Sequence, residues 1–355
     1  MTQPIQTAVI GVTGYAGAEL ARLLLRHPRL KGAPPVFAGR VEAEDAARGG
    51  VPLIEIHPQL SDNNGAGSLK QVPFSWDLLK ERGVEVLFLA TPHEQSREWV
   101  PEALDRGLRV IDLSGAWRLT EPAHSAVYKF KDKDPAVAAA VQSKSVYGMP
   151  ELHRAQIAGA TLVANPGCYS TSVILALRPL VAAGLVDLSH GVVADSKSGV
   201  SGSGKAATAK THFMYAADNL SAYGVFSHRH TGELLEQIGL SGDQIVFTPH
   251  LLPIPRGILS TIYVQFREPQ TRASIAQTYH KFFADSPMVR LYDNALPQIQ
   301  YSVRTNYADI GFELSADGRR AVIVSCLDNL LKGASGQAVQ NLNVMLGYGE
   351  AEGLE

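Results

Sequence analysis

The amino-acid sequence predicts an α/β protein in two parts, a parallel-sheet domain followed by an α+β domain built on a mixed or antiparallel sheet. Three observations carry the prediction. In the first half, short and nearly continuous apolar runs alternate with helix-like segments, the pattern of buried parallel strands joined by helices. A glycine-rich turn lies between the first of these runs and the first helix. Beyond Cys168 the runs lengthen and few helices separate them, which suits an antiparallel or mixed sheet.

The elements follow in order. "IQTAVIG" (5–11) reads as a buried strand and "GAELARLLLRHP" (17–28) as a helix stopped by proline. "PPVFAG" gives a second strand, whereas "GGVPLIEIHPQLSDNNGAGS" carries only the turn chemistry of loops and short strands. "VEVLFLAT" (84–91) and "LRVIDLSG" (108–115) are further buried strands, and Pro101 must begin or kink part of the helix between them. After Cys168, "SHGVVADSKSGVSGSGK" is a strand feeding a Gly/Ser-rich loop. "DQIVFTPHLLPIPRGILSTIYVQF" reads as two long strands around a proline-rich bend, and "RRAVIVSCLDNL" as another. "SGQAVQNLNVMLG" spaces Ala338, Leu342 and Met345 at helical intervals and closes the chain with a helix.

Composition narrows the function classes. With 355 residues, 45% of them hydrophobic, the chain can bury two cores. Charged residues are 19% and the formal net charge is -2, so neither a nucleic-acid face nor an acidic partner is implied. "KFKDKD" (129–134) reads as a solvated loop. No apolar stretch of membrane-spanning length occurs, because Arg178 and Pro179 interrupt the longest candidate. The opening residues lack the pattern of a secretory signal. Two cysteines make a poor disulfide framework but suit a reducing compartment, so the expectation is a soluble cytoplasmic protein.

"VIGVTGYAGAEL" places Gly11, Gly14 and Gly17 between strand and helix. Glycines there allow a tight turn, close approach of backbone to a phosphate, and close helix-on-strand packing, while the helix N-terminus faces the pyrophosphate. The motif predicts a Rossmann-type dinucleotide site formed by Gly11, Thr13, Gly14, Tyr15, Ala16 and Gly17. The second strand ends at Arg40, placed for the 2′-phosphate of NADP, although Glu42 close by blurs the choice against NAD.

"ANPGCYSTSVILAL" sets Cys168 where a Pro-Gly turn enters an apolar helix. Orphan N–H groups and the helix dipole favour a thiolate at such a position. Cys326, inside an apolar strand, reads as ordinary core. A thiol nucleophile needs a proton partner, and "SHRHTGEL" offers His228 and His230. The same pair on a strand could bind metal, but no second cluster completes a metal site and none is expected. A dinucleotide turn with a thiol nucleophile suggests thiolate attack on an activated acyl carbon, followed by hydride reduction of the thioester to an aldehyde. Arg118, Lys197, Lys205 and Arg256 are candidate cations for an acyl phosphate, and each is equally placed to be structural.

Nine segments in order, among them "GVTGYAGAEL", "NPGCYSTS", "SGVSGSGK", "HRHTGEL" and "DNLLKGASGQAVQN", resemble the N-acetyl-γ-glutamyl-phosphate reductases of arginine biosynthesis. The resemblance implies an NADP-binding domain over 1–165, completed by a C-terminal helix within 331–355, and a catalytic domain over 166–330. It carries the nucleophile onto Cys168 and the acid/base role onto His228, with His230 orienting substrate. It makes Arg118 a substrate ligand and puts Ser198, Gly199 and Asn329 around the nicotinamide. It also implies a homodimer or homotetramer acting on a small acyl-phosphate substrate. Ser170 and Gly232 stand where the resembling motifs carry proline, and "DLSGAWRL" departs at Gly115, Ala116 and Trp117, which bears on the substrate pocket. Two alternatives remain at this level: a carrier-linked aminoadipyl-phosphate reductase of lysine biosynthesis, and a non-catalytic NADP-binding sensor.

Overall fold

A computed structural model describes residues 4–61 and 65–355; residues 1–3 of the opening segment and 62–64 of the loop-like stretch lie outside the described residues. The chain forms two compact units. One comprises the residues up to Arg118, then Phe130–Asn165 and Ser335–Glu355; the other comprises Leu119–Lys129 and Pro166–Ala334.

The first unit is built on eight strands: β1 (Thr7–Ile10), β2 (Val36–Gly39), β3 (Val51–Pro52), β4 (Lys70–Pro73), β5 (Val86–Leu89), β6 (Arg109–Asp112), β7 (Ser145–Tyr147) and β8 (Leu162–Ala164). Their order is β3-β4-β2-β1-β5-β6-β8-β7. All neighbours are parallel except β3 against β4. β1 and β5 are buried at every position, as strands covered on both faces must be. The predicted first helix spans Tyr15–Arg26, beginning two residues before the expected start. Pro101 lies inside the helix His93–Asp105. The closing helix, Gly336–Leu346, is buried on nearly all sides in this unit. Its polar residues have partners: Gln337 Nε2 and Asn341 Nδ2 both donate to the Gly148 carbonyl, at 2.9 and 2.8 Å.

The second unit holds seven strands: β9 (Val192–Gly199), β10 (Ser221–Ala222), β11 (Ile245–Leu252), β12 (Ile258–Gln265), β13 (Val289–Tyr292), β14 (Ala308–Leu314) and β15 (Arg320–Leu327). The order is β10-β11-β9-β12-β15-β14-β13, with parallel and antiparallel pairs mixed. Burial alternates along β9, β11 and β12, so one face carries the core and the other is open.

The helix Cys168–Ala182 packs against β12 and β15. A buried hydroxyl chain fixes its register: Ser172 Oγ lies 2.8 Å from Ser260 Oγ and 3.1 Å from Ser325 Oγ, and Ser196 Oγ meets Ser260 Oγ at 2.8 Å. Each satisfied bond is worth about 1 kcal/mol, and an orphaned partner would cost more. Sliding the helix by one residue breaks the chain, so this polar seam sets where Cys168 lies.

Candidate active site

In the first unit, β1 runs into the glycine turn. Gly11 has φ +94°, and a Cβ on it would lie 2.4 Å from the Ala90 carbonyl oxygen; one on Gly17 would lie 2.2 Å from the Gly11 oxygen. Both glycines are therefore demanded by the chain's own packing. Gly14 is different: its Cβ would meet only the Gly11 oxygen, at 3.7 Å. Its bare Cα borders a cavity of about 500 Å³, with Gly11, Thr13, Gly39, Arg40 and Thr91. These residues follow the C-terminal ends of β1, β2 and β5, where the strand order reverses, the place an open α/β sheet receives its ligand. The helix Tyr15–Arg26 has no side-chain cap, which leaves its first N–H groups for an anion. The Arg40 side chain is 92% exposed and lies 3.7 Å from Glu42. An uncapped helix start, room above Gly14 and an extended cation at the end of β2 together fit a nicotinamide dinucleotide.

In the second unit, Pro166 and Gly167 turn the chain into the helix, and Cys168 is its first residue. The Gly167 N–H donates to Glu233 Oε2 at 2.9 Å. A Cβ on Gly167 would lie 2.5 Å from His230 Nε2 and 2.8 Å from Glu233 Oε1, so glycine is what lets both side chains close on the helix entrance. Cys168 is half-buried beside a small cavity of about 30 Å³, bordered also by Ser198, Tyr223, His228, Arg229 and His230. Cys326 is buried, and burial, with Asp309 adding to it, pushes its thiol up to about 12. Only one of the two sulfurs is placed for chemistry.

The histidines lie in the turn before the helix Thr231–Ile238, not on a strand as their spacing suggested. The backbone N–H of His230 donates to His228 Nδ1 at 3.2 Å, and the two rings meet edge to face at 4.7 Å. That bond makes Nδ1 the unprotonated nitrogen of a neutral His228. Burial, and then the Arg229 cation, push His228 down to about 4. Tyr169 OH donates to the His250 carbonyl at 2.7 Å and holds its ring edge-on to both histidines. Burial raises Tyr169 above its ordinary value, so it is a neutral wall. Among the described residues, no group of three or more His, Cys, Asp or Glu side chains is arranged to hold a metal ion.

The other expected residues fall in three places. Ser198 and Gly199 border the Cys168 cavity, and Asn329 is close by, donating from Nδ2 to Ser201 Oγ at 2.9 Å and accepting from the Gly257 N–H at 2.7 Å. Arg118 is buried in the first unit, where its guanidinium donates to the Asn165 and Leu113 carbonyls at 2.7 and 2.9 Å. Arg256 grips Asp328 and Lys197 pairs with Asp195 at 2.9 Å. Trp117 is 1% exposed in the first unit's core, with the Arg97 guanidinium 4.0 Å from its ring, so the departure from the expected motif is a packing change there. Sequence reasoning missed Tyr169, Tyr223 and Arg229. Arg229 stood inside the quoted "HRHTGEL" and could have been found, whereas the tyrosines carry no local signal.

A dinucleotide cradle on a parallel sheet, with a cysteine and histidines at a helix entrance on a mixed sheet, defines the class of the semialdehyde dehydrogenases. Family models agree: residues 6–160 match the semialdehyde dehydrogenase NAD binding domain, and 168–329 match the semialdehyde dehydrogenase dimerisation domain. The fold is that of aspartate semialdehyde dehydrogenase II from Vibrio cholerae, with a TM-score of 0.69 at 16% identity over 98% of this chain and 99% of that one. The Candida albicans aspartate semialdehyde dehydrogenase with NADP gives 0.67 at 13% identity over 96% and 98%. Sequence relatives are closer. The N-acetyl-gamma-glutamyl-phosphate reductase of Methanocaldococcus jannaschii is 40% identical over 98% of this chain and 97% of its own length. That of Desulfotalea psychrophila is 41% identical over 99% and 98%. The chain belongs to the N-acetyl-gamma-glutamyl-phosphate reductase family, a family of oxidoreductases, and its first unit is a nicotinamide-cofactor domain.

Proposed function

We propose that the protein reduces N-acetyl-γ-glutamyl phosphate to N-acetylglutamate 5-semialdehyde with NADPH, releasing phosphate, as a step of arginine biosynthesis. The observation that carries this reading is Cys168 at the head of an apolar helix with His228, Arg229 and His230 around one small cavity. The thiol gives its proton to a histidine and the sulfur attacks the acyl carbon; the phosphate leaves with that proton, and a thioester to Cys168 remains. A bound reduced nicotinamide would supply the hydride for reduction of the thioester carbon to the aldehyde, with Cys168 Sγ leaving as thiolate. One further proton returns to the cysteine–histidine pair, closing the balance.

His230 suits the proton role better than His228, which was the expectation from the motif. His228 accepts through Nδ1 and stays neutral, whereas His230 presses on the helix entrance next to Glu233. Glu233 is a positioning residue that orients both the entrance and the ring. Arg229 is the cation best placed to meet an anionic substrate group, because it borders the cavity and is exposed. Arg40 supports NADP over NAD, since an extended guanidinium suits a 2′-phosphate. Ser198, Gly199 and Asn329 are proposed to lie against the nicotinamide. Two cysteines outside any disulfide suit a reducing cytoplasm, and no helix among the described residues is long and apolar enough to cross a membrane.

The test is the reverse assay. Purified protein with N-acetylglutamate 5-semialdehyde and NADP should form NADPH only when phosphate is present, and Cys168→Ser should abolish this while cofactor still binds. Phosphate-independent turnover, or activity surviving in the serine variant, refutes the covalent route.

A further inference from the structure

We propose that Gly333, held by Asp328 and Arg256, is a positioning residue for Cys168, forming the wall against which the cysteine's Cα and Cβ are fixed. The proposal rests on the reading of Cys168 as the nucleophile. A Cβ on Gly333 would lie 2.8 Å from Cys168 Cβ and 3.3 Å from its Cα. Gly333 is not among the residues with positive φ, so no backbone strain calls for glycine there; space alone does. The first residue of a helix has no preceding turn to restrict its side chain, so an outside wall decides where the sulfur points.

The wall is itself braced. β15 ends at Leu327, and the next residue, Asp328, is fully buried. Its carboxylate accepts from Arg256 Nε at 3.0 Å and Nη2 at 3.1 Å, from the Arg304 N–H at 2.7 Å and from the Leu330 N–H at 2.8 Å. Its carbonyl accepts the Gly333 N–H at 2.9 Å. The chain then passes through one widened turn, Leu331–Ser335. A buried carboxylate satisfied by several donors is rigid, and an arginine fork adds orientation that a lysine would not. Arg256, a candidate phosphate ligand by sequence, is thus engaged as a strut behind the nucleophile.

The experiment compares Gly333→Ala and Arg256→Lys with wild type in the full-length chain. It measures kcat and KM in the reverse direction, the pH profile of Cys168 alkylation by iodoacetamide, cofactor affinity and the unfolding temperature. In Gly333→Ala, kcat should fall about tenfold or more, since small misplacements of a reacting atom are costly. KM should change by no more than about twofold, and the alkylation profile should move along the pH axis. Cofactor affinity and unfolding temperature should stay near wild type, and Arg256→Lys should show a smaller shift in the same direction. An unchanged alkylation profile in Gly333→Ala overturns the proposal, whatever happens to activity. If that variant does not fold, an unchanged profile in Arg256→Lys overturns it instead. Should Cys168 not be the nucleophile, Cys168→Ser would stay active while the alkylation shift persisted, so the two failures are distinguishable.

Discussion

His228 and His230 are the same side chain two positions apart, yet their surroundings divide the work. Burial and the Arg229 cation hold His228 at about 4, well under the ordinary value of 6.5. The folded protein therefore binds fewer protons than the unfolded chain between those two values, and the stability tied to His228 is lost as pH falls through that window. His228→Gln should flatten the fall in urea-unfolding free energy between pH 7 and about 5, and a variant as acid-sensitive as wild type would refute the assignment. The same variant should keep most activity, because a histidine held at about 4 is a poor proton acceptor for the thiol, whereas His230→Gln should remove most activity. Little of this division could be read from "HRH", whose symmetry hides which ring accepts the backbone hydrogen bond. Ser170, by contrast, was visible as a departure, and it lies in the helix's first turn with its hydroxyl buried and without a hydrogen-bond partner among the described residues.

The three glycines of the first turn look alike in sequence and differ once the element is folded. Gly11 and Gly17 are required by contacts within the protein, while Gly14 is free of them. Gly14→Ala should therefore leave the unfolding temperature nearly unchanged and weaken cofactor binding about tenfold or more, the loss of one charge-assisted phosphate contact. Titration calorimetry checks this, and wild-type affinity would mean that the phosphate lies elsewhere. Gly232 shows the converse, a departure explained only by a neighbouring segment. A Cβ there would lie 2.9 Å from His124 Cβ and 3.0 Å from Leu119 Cδ1. The segment 119–129 docks on that helix through Glu236, which accepts from the Thr120 hydroxyl at 2.8 Å and the Glu121 N–H at 3.1 Å. The strands β1, β2, β5, β6, β9, β11, β12 and β15 and the helices Tyr15–Arg26, His93–Asp105, Cys168–Ala182 and Gly336–Leu346 were legible because periodicity is local, whereas β13, β14 and the helix Arg272–Phe282 were not read. The docking of 119–129 was not legible, because its partners are more than a hundred residues away in sequence.

At the scale of the molecule, sequence order announced the parallel sheet and then the mixed one, and the glycine turn and Cys168 marked a candidate site on each. The cavity beside Cys168 is bordered by Ser198, Tyr223, His228, Arg229 and His230, with Gly333 against the cysteine, residues that only the fold brings together and no spacing rule could have grouped. The open face of the second sheet raises the remaining question. Val193 on β9, Val246 on β11 and Tyr263 on β12 are 42%, 37% and 47% exposed there, beside a groove of about 530 Å³ that also reaches Val322 of β15. A contiguous apolar surface on a sheet is seldom left in water. Residues 168–329 match a domain described as one of dimerisation, and the expectation to be tested is that a second copy covers this face about a two-fold axis. Tyr263→Asp introduces a charge that the symmetry doubles across the contact, while its exposed position spares the monomer's core. Sedimentation velocity at micromolar concentration should then give the dimer, or a multiple of it, for wild type and a single chain for the variant, with unchanged far-ultraviolet circular dichroism. Wild-type protein that sediments as a single chain, or a variant that assembles as wild type does, would place the contact elsewhere.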